Sequence, residues 1–141
     1  MIENSSSSMP VTDSTRQRLR SLRNSLLRLH KLLLDAESNA YQQAHGQVTK
    51  GYLFQLVINH EWFAWLRPMS GLVAQIDEMF ASDEPMTEAD ANDLLNKTRK
   101  LLRPSETGIG FERKYFDALQ RDPDVILTHA EVSRLLVTDK R

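Results

Sequence analysis

Residues 19–40 read LRSLRNSLLRLHKLLLDAESNA. Their apolar positions, Leu19, Leu22, Leu26, Leu29, Leu33, Ala36 and Ala40, follow an unbroken alternation of three- and four-residue steps. In an α-helix such steps stack along one face, since 3.6 residues complete a turn. An apolar seam of this kind belongs to a bundle or coiled coil. A second line, Leu27, Leu34 and Tyr41, repeats every seven residues beside the seam, so this helix is expected to meet more than one neighbour. Thr12, Asp13 or Ser14 offers a capping oxygen at its start, and Gly46 suits its end. At 1.5 Å per residue the helix would be about 50 Å long and would form the spine of the domain.

The rest of the chain reads as further helices. Thr49 can cap a second one from about Lys50, and Tyr52–Leu66 (YLFQLVINHEWFAWL) is apolar at 11 of 15 positions. On a helical wheel Leu53, Val57, His60 and Ala64 share one face, while Phe54, Ile58 and Trp65 share another with Trp62 at its edge. A helix apolar on most of its circumference needs cover on both sides, within the bundle or from another subunit. Pro68 is expected to kink or break it, with the pattern resuming at Leu72, Val73, Ile76, Met79 and Phe80. Thr87-Glu88-Ala89-Asp90 resembles a capping box with Asp in the usual Glu position. It opens a third helix carrying Ala91, Leu94, Leu95, Thr98, Leu101 and Leu102. A fourth runs from Phe111 to about Arg121, and Asp122-Pro123 caps and opens the last, with Val125, His129, Val132 and Leu136 along one line. No window alternates apolar and polar residues as a strand would. The expected fold is all-α: an elongated bundle of four to five helices with a long N-terminal helix. Residues 1–11, with four consecutive serines, read as a flexible leader, and 12–141 as one helical-bundle domain.

Composition narrows the function classes. The chain has 141 residues, 18 Lys+Arg against 19 Asp+Glu, a net charge of -1 and no Cys. That balance gives no global field for nucleic acid or an anionic membrane. The absence of Cys excludes disulfide scaffolds, thiolate metal sites and cysteine nucleophiles. No stretch of 18 apolar residues suggests a membrane span, and no basic start followed by an apolar core suggests a secretory signal. A cytoplasmic protein is therefore expected.

Four constellations qualify as candidate sites. Phe54, Ile58, Trp62 and Trp65 form the aromatic second face and are the candidate interface for self-association. His30, His60 and His129 lie on or beside apolar lines of three helices, so a metal or haem site built from them is the alternative. The Glu-x-x-His and His-x-x-x-His spacings of helical metal sites are absent, and no cofactor is the primary expectation. Arg16, Arg20 and Arg23 share one side of the first helix and are candidates for an anion or a protein partner. Residues 16–31 hold six bases and no acid, whereas 77–93 hold seven acids and no base. Pairing between those segments, within the bundle or across a dimer, is the simpler reading of that charge. A short basic run, Lys97, Arg99, Lys100 and Arg103, comes next. Gly108-Ile109-Gly110 precedes a helix outside any strand–loop–helix unit, so it reads as a turn rather than a phosphate cradle.

No G-x-S-x-G elbow or paired nucleophile and base argues for catalysis. The expected function is a non-enzymatic interaction or regulatory bundle that self-associates as a homo-oligomer or binds a protein partner. The competing expectation is a metal-, haem- or small-ligand-binding sensor using the core-facing histidines. Neither membrane nor nucleic acid is expected as a partner.

Overall fold

Four helix starts are closed by side chains that the sequence provides for the purpose. In the computed structural model, which describes residues 9–137, Thr12 Oγ1 accepts from the Thr15 amide at 3.0 Å and opens α1 (Asp13–His45). Thr49 accepts from Tyr52 at 3.2 Å and opens α2 (Lys50–Asn59). The Thr87–Asp90 capping box has both of its bonds, at 3.1 and 3.2 Å, and opens α4 (Glu88–Leu101). Asp122 accepts from Asp124 at 2.9 Å and opens α6 (Pro123–Leu136), with Pro123 in the first turn where its missing N–H removes no helical bond. Between these lie α3 (Arg67–Ala81) and α5 (Phe111–Arg121). Gly46, which closes α1, and Gly110, which precedes α5, hold φ of 96° and 71°, a region that disfavours any residue with a Cβ. Gly108-Ile109-Gly110 is thus a turn into α5.

The all-α architecture stands as expected, but the described residues hold six α-helices rather than four to five. The extra division falls in the second apolar segment. The helix from Lys50 does not continue to Pro68: it ends at Asn59, His60 adopts an extended conformation, and Glu61–Leu66 forms a 3₁₀-helix. His60 Nδ1 accepts the amide of Trp62 at 3.0 Å, so the histidine closes a new helix start instead of continuing the old one. In a 3₁₀-helix residues three apart eclipse one another. This period stacks Phe63 over Leu66, only 1% and 2% exposed, and turns both into the interior. Pro68 falls in the first turn of α3, where it is harmless, and neither kinks nor breaks a helix.

α1 is the spine, with α6 and α3 packed along it. Leu19, Leu22, Leu26, Leu29 and Leu33 are all essentially inaccessible and form the centre of the main core with Met69, Ile76, Leu94, Tyr115, Val125 and Val132. Beyond Leu33 the expected seam lapses. Ala40 is exposed, and Ser38 and Tyr41 are buried instead. Here α1 passes from its long partners to the 3₁₀ segment, and a small second core forms from Tyr41, Leu56 and Phe63. α4 packs on α3, and α5 on α6 and the 3₁₀ segment.

Residues 1–8 of the expected leader lie outside the described residues. Residues 9–11 are tied down: the Val11 amide donates to Met86 O at 3.0 Å and the Glu88 amide to Met9 O at 2.9 Å. This short strap holds the start of α1 against the start of α4. No helix among the described residues is long and apolar enough to cross a membrane.

Candidate docking surface

α2 stands apart from the other helices because only one of its residues, Leu56, is buried. Leu53 and Val57 lean on the small second core, and the 3₁₀ segment is the principal neighbour of the helix. The opposite face carries Phe54 and Ile58, one turn apart and 63% and 49% exposed, with Tyr52 also open at the edge. Ile58 leads into a cleft of about 330 Å³ between α1, α2 and the start of α3. Leu34, Val57, Phe63 and Leu66 supply its apolar walls, and His30 and Arg67 its polar edge. Arg67 also fixes the geometry. Its Nη2 donates to Ile58 O at 2.9 Å and to His60 O at 3.2 Å, tying the end of α2 to the start of α3.

The four candidate interface residues do not form one stripe. Phe54 and Ile58 are open, but the 3₁₀ segment changes the angular step and carries the two tryptophans onto their own chain. Trp65 packs against the main core, donates from Nε1 to Glu37 Oε2 at 2.9 Å, and lies 5.4 Å from the Phe111 ring. Trp62 packs against the second core, edge-on to Tyr41 at 5.3 Å and to His45 at 5.5 Å. Its Nε1 is buried with no hydrogen-bond partner among the described residues. Leaving such a donor unpaired costs about 1–3 kcal/mol. The residues that replace the tryptophans at this surface are Val57, Leu34 and Phe63, which line the cleft.

The histidines are not gathered. His60 is the exposed cap of the 3₁₀ segment, beside Tyr41. His30 lies half-buried at the α2 cleft, and its pKa is lowered by desolvation. His129, also lowered by desolvation, faces Tyr115. Among the described residues no group of three or more His, Cys, Asp or Glu side chains is placed to hold a metal ion. His60 leaves the core face because the helix ends before it, so the wheel that aligned it with the core no longer applies, and His30 and His129 line different clefts.

The arginine trio is turned to internal use. Arg23 grips Asp77 through Nε and Nη2 at 2.7 and 3.2 Å, joining the basic and acidic segments within one chain. That contact holds the Asp77 carboxyl below the usual carboxylate range and raises Arg23. The guanidiniums of Arg20 and Arg16 lie over the Phe80 ring, 4.7 and 5.9 Å from its centroid. Arg28 similarly pairs with Glu131 across α1 and α6.

No protein-family model, curated protein or solved structure matches this chain.

Proposed function

We propose that this chain is a non-enzymatic interaction module that pairs with a second copy of itself through the exposed face of α2 and the cleft beside it. One observation carries this reading: Phe54 and Ile58 stand out from the surface directly beside an apolar cleft on the same molecule. A ridge and a groove on one surface are what a two-fold interface requires, because each copy then offers what the other receives. Contiguous exposed apolar surface is otherwise avoided by monomers. α2 has only 10 residues, so the contact area falls below the roughly 800 Å² per partner of a standard interface. The dimer is accordingly expected to be concentration-dependent.

Sedimentation equilibrium tests the reading. The wild-type chain should move from monomer to dimer as concentration rises, and Phe54→Glu or Ile58→Glu should hold it monomeric with an unchanged circular dichroism spectrum. A wild-type chain that stays monomeric throughout, or a dimer that survives both substitutions, would overturn it.

A further inference from the structure

A second cleft, of about 310 Å³, opens where the end of α4 meets the last two turns of α6. Its polar lining comes from Arg99 and Arg103 of α4 and its C-terminal edge and from His129 and Ser133 of α6, and Leu102 and Leu136 supply apolar wall. None of these residues belongs to the α2 surface, so a site here is independent of the dimer reading.

Among the described residues the charge in this cleft is uncompensated. Of the four bases in the run Lys97–Arg103, Lys97 is paired with Asp93 at 3.2 Å. Arg99 donates from Nε and Nη2 to the Leu136 carbonyl, at 3.0 and 2.5 Å, and from Nη1 to Asn96 Oδ1. These acceptors are neutral, and the end of α6 adds only the partial negative charge of a helix C-terminus. Arg99 is thereby fixed in place with its full cationic charge and N–H groups to spare. Among the described residues no carboxylate pairs with Arg99 or Arg103. His129 is also oriented. Its Nδ1 lies 2.6 Å from the Tyr115 hydroxyl, which is essentially inaccessible and has no other partner among the described residues. A buried phenol satisfies its donor by giving the proton to Nδ1, which fixes the tautomer with hydrogen on Nε2. The free Nε2–H is then a donor at the cleft, alongside the Ser133 hydroxyl.

Two guanidiniums, an imidazole N–H and a hydroxyl, drawn from both walls of the cleft, form a donor set for a tetrahedral dianion. We infer that this cleft binds the phosphate group of a small phosphate monoester, with its carbon portion lying against Leu102 and Leu136. The cleft is wider than a bare phosphate requires, and its apolar side is what distinguishes a monoester from the inorganic ion.

The test is a titration of the wild-type chain with inorganic phosphate, phenyl phosphate and acetate, followed through the His129 ring resonances. Saturable shifts are expected with both phosphates, tighter for phenyl phosphate, and none with acetate. Arg103→Gln removes one charged contact at a residue that bonds to no other described side chain, and should weaken binding about tenfold or more with the fold intact. Ser133→Ala provides a second, milder variant that should weaken it less. The inference is overturned if neither phosphate gives a saturable shift, if acetate matches them, or if Arg103→Gln binds as the wild type does. Phenyl phosphate binding no tighter than inorganic phosphate would overturn the monoester assignment.

Discussion

The Tyr115 hydroxyl lies 2.6 Å from His129 Nδ1, joining α5 to α6 at the edge of the main core. Burial pushes the phenol's pKa well above its usual value, so the tyrosine keeps its proton at any ordinary pH and donates it to the neutral imidazole. Tyr115→Phe would keep the ring packing against Phe111 and remove only that bond. A loss of about 1–2 kcal/mol is expected in denaturant unfolding. The proton of His129 should become free to move to Nδ1, visible as a change in the ring nitrogen shifts.

Acid should weaken the fold through two half-buried histidines. Desolvation lowers both His30 and His129 below their ordinary value of 6.5. Below that pH the unfolded chain takes up protons that the folded chain refuses, so stability is full above about 6.5 and falls as pH drops through the window beneath it. Unfolding midpoints measured from pH 7.5 down to about 5 should show this slope. His30→Gln should flatten it, and the double variant with His129→Gln should flatten it further.

Arg23 and Asp77 make a different pH statement. The carboxyl is held below its ordinary value of 3.8, so the pair contributes above that value and loses its contribution only as pH falls through the lower folded value. Both side chains are substantially exposed, and the effect of Asp77→Asn at neutral pH should be small and should shrink with added salt. An effect that persists in high salt would show that the pair does more than ion pairing.

Phe63 and Phe54 differ in what they support. Phe63→Ala would empty a site in the second core, at a cost of about 3–5 kcal/mol. Phe54→Ala should change monomer stability by no more than about 0.5 kcal/mol. Thermal unfolding of dilute protein, where association is absent, checks both values.

The helices whose boundaries carry their own chemistry were legible from the sequence. Thr12, Thr49, Thr87 and Asp122 stand where they cap, and the leucines from Leu19 to Leu33 keep one face because long helices lie beside them. The segment around His60 was not legible, because a wheel assumes a constant step of about 100° and nothing in an apolar run announces a change to about 120°. That one change moved Phe63 and Leu66 inward, drew Trp62 and Trp65 onto their own chain, and turned His60 into an exposed cap. The exposed face of α2 was therefore half legible: Phe54 and Ile58 lie before the break and stay at the surface, whereas the cleft residues Leu34 and Phe63 depend on packing that only the fold supplies. Tyr115, which orients His129, carried no signal beyond its place in an apolar line. The pairing of Arg23 with Asp77 was legible in kind, from the segregation of bases and acids, but not in its particular partners.

The contact between α1 and α6 has a temporal consequence. The Arg18 side chain donates to the carbonyls of Leu135 and Val137, partners separated by 117 and 119 positions. A ribosome therefore releases the leucine-rich spine long before the helix that covers it. Throughout synthesis of the intervening segments the side of that stripe that meets α6 remains uncovered and prone to mispairing, even after α3 has emerged to cover its other side.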